Sequence, residues 1–527
     1  MLFIDEIIKA KSWIFSVFHE TVKADGGMMD NKNNSAELPK GWVWARLEEA
    51  CLEPQYGWTT SASTQGKTHL LRTTDITSGS IDWNKVPYCK EEPPEQEKYL
   101  LKDGDIVISR AGSVGYSHLI KNPKEAVFAS YLIRFKPLTD GQYLAYFLKS
   151  PSYWQSISEK SLGIAIPNVN ASKLKQIVIP LPPLPEQHRI VAKIEELFTR
   201  LDAGVEALKR VKAELKRYRQ AVLKYAFEGK LTEEWREAHK GKLEPASVLL
   251  ARIRQAMSLG GTERRSKLKS NKNEIASPPA RNDNLPELPE GWVWTRMGEI
   301  AEYVENVNPK AEPDKEFIYL DIASIDNSQQ KITDPKKYFG RNAPSRAKQL
   351  VKSGDIIFST VRTYLKNIAI VKEIYNGQIA STGFCVIRPF HQINSKFIFF
   401  ITQTDVFLNP LTQLQRGTSY PAVRDSDVFS QIIPLPSFPE QHKIVEEIER
   451  RFSVADEVEK VVDQSRKQAE RLRQSILKRA FEGKLVPQDS TDEPAEKLLE
   501  RIKAEKAKLE YNKKGRGKTK EVYRGTY

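Results

Sequence analysis

Two histidines recur in one setting, His188 in PEQHRIV at 185–191 and His442 in PEQHKIV at 439–445. A repeated imidazole is a natural candidate for acid–base or metal chemistry. Both lie in the first turn of a helical pattern, beside the start of its apolar seam, and packing or capping explains them better. Asp103 and Asp105 are close enough to suggest paired carboxylates. Only the Gly-Asp part of that run returns, at Gly354 and Asp355, ahead of a strand-like stretch, which favours a turn. Gly66, Lys67 and Thr68 imitate the end of a phosphate loop, but Ser61 stands where its first glycine belongs and no strand leads into it. Glycines are too scattered for a dinucleotide fingerprint, and no HExxH or His/Cys cluster offers metal ligands. Cys51, Cys89 and Cys385 form no CxxC pair, so neither a disulfide framework nor a zinc site is supported, and a reducing cytoplasm fits. No catalytic residue and no metal ligand is assigned.

With enzymatic chemistry unsupported, the elements carry the information, and they come twice. LPKGWVWARLEE at 38–49 returns as LPEGWVWTRMGE at 288–299, IPLPPLPEQHRIVAKIEELF at 179–198 as IPLPSFPEQHKIVEEIERRF at 433–452, and AFEGKL at 226–231 again at 480–485. Between these markers the copies diverge, apart from a frame such as KDGDIVIS at 102–109 against KSGDIIFS at 352–359. Each copy opens with short β-like runs (Asp105 to Ser109, Val127 to Phe135, Asp355 to Ser359, Cys385 to Arg388) broken by Gly, Pro, Asn and Ser, the pattern of a compact α/β domain.

A proline-rich entry (Pro180, Pro182, Pro183, Pro185; Pro434, Pro436, Pro439) then gives way to a long helical pattern from Glu186 and from Glu440. In the first helix Ile190, Ile194, Leu197, Leu201, Leu208 and Leu215 advance by threes, fours and sevens; in the second Ile444, Ile448, Phe452, Ala455, Val458, Val462, Ala469, Leu472 and Ile476 do the same with a weaker middle. Gly229 and Gly483 end the two helices. Such a narrow apolar seam suits another helix. A helix of about 40 residues, roughly 60 Å long, cannot bury its seam alone, so the two copies are expected to pack on each other, antiparallel under an internal two-fold. The bland alternative is that each helix closes only its own domain.

The fold expected is α+β: two globular α/β domains separated by two long helices packed as an antiparallel coiled coil, with an internal pseudo-two-fold repeat. The boundaries are 1–37 for an N-terminal extension, 38–180 for the first domain, 181–230 for the first helix, 231–287 for a short helix and flexible linker, 288–434 for the second domain, 435–485 for the second helix, and 486–527 for a C-terminal helix and basic tail. Charged residues interrupt the apolar stretch of residues 1–20, which reads as a short amphipathic helix or upstream sequence rather than a signal peptide. No run of about 20 apolar residues spans a membrane. Lys and Arg outnumber Asp and Glu by 82 to 68, a net charge of +14, which favours a polyanionic partner.

The markers, their order, their duplication around two dissimilar domains and the closing EPAEKLLERIKAEK at 493–506 together resemble the specificity subunit of type I restriction-modification systems. That resemblance implies a non-catalytic, cytoplasmic subunit. Each domain is expected to read one half of a split, asymmetric site on double-stranded DNA, and the helices to set the half-site spacing and dock two modification subunits. Restriction subunits are expected in the full complex. S-adenosylmethionine, ATP and Mg are expected on those partners and no cofactor on this chain.

Base edges call for Arg, Lys, Asn or Gln, while phosphates accept Lys, Arg, Ser, Thr and backbone N–H groups. In the first domain the candidates are Lys67, Arg72, Thr74, the loop residues Arg110, Gly112, Ser113 and Tyr116, and Gly163, Asn168 and Asn170. The second offers Thr360, Arg362, Thr363, Tyr364 and Lys366, then Arg416, Gly417, Ser419, Tyr420 and Arg424. A free-standing bipartite DNA-binding regulator and an assembly scaffold that reads nothing remain as alternatives.

Overall fold

A computed structural model describes residues 11–17, 20, 37–161, 168–259, 285–417 and 421–522. The chain forms two compact units, residues 1–211 with 461–527 and residues 212–460. Each contains one of the two α/β domains and half of each long helix, Leu184–Phe227 and Phe438–Phe481.

The first domain is built on two four-stranded sheets. One runs Gln55–Tyr56, Leu132–Phe135, Ile106–Ser109, Ser117–Leu119; the other runs Ala62–Ser63, Tyr88–Cys89, His69–Leu71, Ala126–Phe128, with its last two strands parallel. The second domain repeats this with different residues. Its sheets run Ala301–Glu302, Phe384–Pro389, Ile356–Ser359, Ile368–Ile370, and Lys336–Phe339, Glu316–Leu320, Ile379–Ser381, Ala347–Leu350. Its parallel pair is Glu316–Leu320 with Ile379–Ser381. The single run expected over 127–135 is thus two strands in different sheets, split by a turn at Ser130 and Tyr131. The repeated frame is a turn, as its glycine suggested. Gly104 and Gly354 take φ of +83° and +87°, and Asp105 and Asp355 accept bonds from the Lys102 and Lys352 backbone N–H at 2.9 and 2.7 Å. Arg134 or Arg388 from the neighbouring strand reaches the same carboxylate.

A two-stranded ribbon closes each domain. Val43–Arg46 pairs antiparallel with Val178–Leu181, and Val293–Arg296 with Ile432–Leu435. Pro180 and Pro434, expected in a non-helical entry, lie inside these ribbons; each ribbon has two free edges, where the missing N–H is tolerated. Both helices start two residues before Glu186 and Glu440, with Pro185 and Pro439 in the first turn.

The expected seam is buried. Ile190, Ile194, Leu197, Leu201, Leu208 and Leu215, and Ile444, Ile448, Val462, Leu472 and Ile476, are all close to fully enclosed, while Phe452 is half-buried. Pairing is antiparallel in each unit. Asp202 is salt-bridged to Arg473 in one, and Arg219 donates to Asp456 at 2.6 Å and Glu459 at 3.0 Å in the other. The first turns of the second helix also enter their own domain's core, Ile444 and Ile448 joining Met297 and Ile433, so the helix-closes-its-domain reading holds locally. Both helices end as their glycines predict. Gly229 and Gly483 take φ of +73° and +68°, and Lys230 and Lys484 N–H bond back to Tyr225 and Arg479 carbonyls at 2.9 and 2.8 Å.

Each unit is completed by a helix from far along the chain. In the first, Ala495–Val522 docks through Ala495 N–H to Gly41 O at 2.9 Å and Lys506 to Glu49 O at 3.1 Å. In the second, Ala246–Leu259 docks through Ala246 N–H to Gly291 O at 2.9 Å. The C-terminal helix continues through the basic run 513–520, where a polar tail was expected; its lysines and arginines are good helix formers. Residues 11–17 are helical, as the N-terminal pattern suggested, and Glu20 bonds to Arg200 at 2.7 Å. Most of the expected linker, 260–284, lies outside the described residues. Among the described residues no helix is long and apolar enough to cross a membrane.

The repeated tryptophan and glutamate meet in each unit. Trp42 Nε1 donates to Glu186 at 3.0 Å, and Trp292 Nε1 to Glu440 at 2.9 Å. Glu440 also accepts from Thr232 at 2.9 Å and Arg236 at 2.7 Å. Glu186 Oε1 has no hydrogen-bond partner among the described residues, and burial pushes its carboxyl above its ordinary value. Removing one member of a satisfied buried pair costs about 3–5 kcal/mol, against about 1 for a single neutral hydrogen bond. Glu440→Gln is therefore expected to lower stability at neutral pH by several-fold more than Glu186→Gln, measured as shifts in urea midpoint at constant slope. Equal shifts would mean that Arg236 contributes nothing at Glu440.

Candidate nucleic-acid interface

In each domain the two candidate loops come together. In the first, Ala111 and Asn168 form a β-bridge and Val169 N–H bonds to Arg110 O at 3.0 Å. In the second, Val361 bridges Ala422, Arg362 N–H bonds to Pro421 O at 2.8 Å, and Gln415 Nε2 donates to Thr363 Oγ1 at 2.6 Å. A buried strand, IVIS at 106–109 or IIFS at 356–359, aims each loop out of the core. Gly163, Ser419 and Tyr420 lie outside the described residues.

Burial and bonding sort the candidates. In the first domain Arg72 is held bidentate by Asp75 at 2.8 and 3.1 Å, and the bond to Asp75 keeps its guanidinium more basic than usual. Thr74 is exposed beside it, and Thr73 Oγ1 accepts from Ser109 at 3.4 Å, which brings this short helix to the root of the loop. Lys67 is exposed before strand His69–Leu71, whereas Arg72 follows that strand, so the fold separates these two. Arg110 lies 5.2 Å over the Tyr56 ring, Gly112 is exposed with φ of +76°, Ser113 is half-buried and Tyr116 is 43% exposed. Asn170 caps helix Ala171–Lys175, accepting from Lys173 N–H at 2.9 Å.

In the second domain Thr360 and Thr363 are buried, and Thr360 Oγ1 donates to Gly383 O at 3.0 Å. These hydroxyls hold the loop's shape. Arg362 and Lys366 adopt φ of +49° and +53°, the left-handed region that non-glycine residues rarely enter. The Lys366 ammonium donates to Gln403 O at 3.0 Å and lies 3.5 Å from Asp405. Tyr364 between them is 54% exposed. Arg416 and Gly417 are exposed, and Arg424 begins the short helix Asp425–Phe429, its backbone N–H bonded to Asp427 at 2.9 Å.

The histidines lie outside the buried seam, and the His442 ring packs edge-on against Phe438 at 4.7 Å. His188 is exposed, with Nε2 3.3 Å from Asp140, and His442 Nδ1 is 3.1 Å from the Asn394 amide. The neighbouring glutamines do that anchoring. Gln187 accepts from Thr139 Oγ1 at 2.5 Å and donates to Pro182 O at 2.9 Å, and Gln441 accepts from Asn394 N–H at 3.0 Å and donates to Pro436 O at 3.2 Å. Recurrence of the whole PEQ triplet carries this signal. Among the described residues no group of three or more His, Cys, Asp or Glu could hold a metal. The arrangement presents one polar, partly aromatic loop pair per domain.

The family described as type I restriction modification DNA specificity domain matches residues 54–217 and 289–462. The chain is 28% identical over 370 residues to the type I restriction enzyme EcoDI specificity subunit of Escherichia coli, covering 67% of this chain and 76% of that one. It is 26% identical over 505 residues to the EcoKI specificity subunit of Escherichia coli K12, covering 90% and 97%. Its fold resembles a solved chain described under complex assembly and conformational transition of the type I R-M system, with a TM-score of 0.56 and 19% identity over 85% of this chain and 99% of that one.

Because its ammonium is bonded within the domain, Lys366 serves the loop's conformation. Lys366→Met is expected to destabilise the second unit by about 1 kcal/mol and to speed proteolysis of the 360–366 loop. A variant that melts and is cleaved like the parent would show that the contact to Gln403 contributes nothing.

Proposed function

Since the chain belongs to the type I restriction-modification DNA specificity family, we propose that it is the DNA-reading subunit of a type I restriction-modification complex and catalyses nothing itself. Each α/β domain reads one half of a split, asymmetric double-stranded site. The long helices set the distance between the half-sites and dock two modification subunits, and restriction subunits join in the full complex. The observation that carries this reading is the duplication: one strand frame, one ribbon and one tryptophan–glutamate contact occur twice and present two unlike loops. Two unlike readers on one chain suit a non-palindromic site, whereas a symmetric homodimer suits a palindrome. The net charge of +14 supports attraction to phosphates.

S-adenosylmethionine, ATP and Mg act on the partners, in the cytoplasm, where adenine N6 is methylated after base extrusion. Neither a free-standing regulator nor a scaffold that reads nothing is favoured by the family match.

The test is a long-read methylation map of cells carrying this chain with its modification partner, against cells lacking this chain. N6-methyladenine on a split motif that disappears with the chain is expected; no chain-dependent motif, with both proteins soluble, would overturn the proposal. Within that map Arg362→Ala is expected to relax one half-site by about 1–3 kcal/mol of discrimination, roughly 5- to 150-fold, if the guanidinium reads a base. A uniform loss with a salt slope shallower by about one would place it on phosphate instead.

A further inference from the structure

The loop of the first domain is framed by tyrosines, one of which, Tyr131, is matched by a glycine in the second domain. The Arg110 backbone N–H bonds to Tyr131 O at 2.9 Å, Ser109 N–H bonds to Tyr116 O at 2.8 Å, and the Arg110 guanidinium lies 5.2 Å over the Tyr56 ring. Tyr56, Tyr116 and Tyr131 are 40%, 43% and 61% exposed. Tyr131 sits in the turn between Ala126–Phe128 and Leu132–Phe135. In the second domain the matching bond runs from Thr360 N–H to Gly383 O at 3.0 Å, so glycine stands where the first domain has Tyr131. A Cβ on Gly383 would lie 3.1 Å from Ile322 Cδ1, which leaves little room for a larger residue there.

The same corner holds two polar atoms that are buried and unpartnered among the described residues, Arg110 Nε and Asn168 Oδ1. Ala111 and Asn168 are bridge partners, so these atoms belong to adjoining loops. A buried donor or acceptor left unpaired is unfavourable and is relieved by a partner. A bare donor and a bare acceptor beside exposed aromatic rings fit a flat heteroaromatic edge that offers an amino group and an acceptor. A change of side-chain rotamer, common when partners bind, brings either group to that edge. Tyrosine supplies apolar contact and stacking that lysine-rich phosphate sites do not.

We propose that Tyr131, with Arg110 and Asn168, forms a nucleobase-contacting corner that sets the sequence preference of the first half-site. Asn168 Oδ1 accepts from the exocyclic amino group of adenine or cytosine, Arg110 donates to an adjacent acceptor, and the Tyr131 ring packs on the base or on a thymine methyl. This rests on the DNA-reading function proposed above and adds Tyr131, which no pattern in the sequence singled out. The second domain reads with a different set, because Gly383 stands at the position of Tyr131.

The test uses the full chain with its modification subunits and maps methylated motifs for the parent, Tyr131→Ala, Tyr131→Phe and Asn168→Ala. Tyr131→Ala and Asn168→Ala are expected to raise methylation at least 10-fold on sites with one change in one half-site, the same half for both, with the other half unaltered. Tyr131→Phe should keep the parent motif, because the ring and not the hydroxyl makes the contact. Motifs unchanged in both alanine variants overturn the proposal. So does an equal loss over both halves, or an Arg110→Ala complex whose salt slope falls by about one, which assigns the loop to phosphate. Tyr131 is an exposed turn residue, so its truncation leaves the core intact, and soluble assembly of each variant is checked directly. A parent chain that yields no split motif sinks the DNA-reading function itself and is recognised before any variant is compared.

Discussion

A carboxylate buried in the first turn of each long helix is the contact on which the rest of each unit depends. Glu186 and Glu440 are both 1% exposed, and a carboxyl taken out of water is tolerated only when hydrogen-bonded. The bond comes from an indole N–H 144 or 148 residues upstream. Just after each tryptophan the chain pairs with the strand that leads into the helix. The entry to a domain, its exit and the start of its helix are therefore fastened at one place. Everything between can change sequence without loosening the attachment, as long as it returns to the ribbon in register.

That freedom is spent at the strand ends. Both domains turn the chain after a buried strand, and both need left-handed backbone there, but they obtain it differently. Gly112 and Gly115 in the first take φ of +76° and +84° without steric conflict, whereas Arg362 and Lys366 in the second take φ of +49° and +53° at a cost of about 1–2 kcal/mol each. The second loop offsets that cost with internal bonds: the Arg362 N–H and the Lys366 ammonium donate to carbonyls, and the Thr363 hydroxyl accepts from Gln415. It is stapled, and it exposes the Tyr364 ring at 54% and Leu365 at 39%. The first loop has fewer such bonds and leaves polar atoms bare. One backbone frame thus supports a rigid presenter and an adaptable one.

Much of this was legible in the residues alone, for physical reasons. An apolar seam such as Ile190 to Leu215 has one period and one use, and glycine at 229 and 483 has one conformation that explains it. The Gly-Asp turn was readable because its chemistry is local. Long-range pairing was not: nothing in the spacing of Ala126–Phe128 shows that it runs parallel to His69–Leu71, or that Ala495–Val522 completes the first unit and Ala246–Leu259 the second. Loop residues were ambiguous because one side chain can serve either partner. Asn170, Thr360 and Thr363 have the types expected of DNA contacts, and their oxygens are committed to a cap, a carbonyl and a glutamine. Tyr131 gave no signal because a lone tyrosine in a divergent segment has no period and no partner in the repeat.

Those commitments bear on how specificity can arise at all. A polar group already bonded inside the protein gains little by exchanging that bond for one to DNA, so Lys366, Arg72, Thr360 and Thr363 add positioning rather than discrimination. On the proposed DNA-reading function, discrimination of about 1–3 kcal/mol per base pair comes from groups left open on each loop. Among the described residues the first domain offers an arginine, an asparagine and exposed rings, and the second offers Tyr364 and the exposed Arg416. Positive charge attracts any duplex and tells no sequence from another. On the proposed DNA-reading function, the unlike open groups of the two domains give each its own recognition, which is the division of labour that an asymmetric site requires.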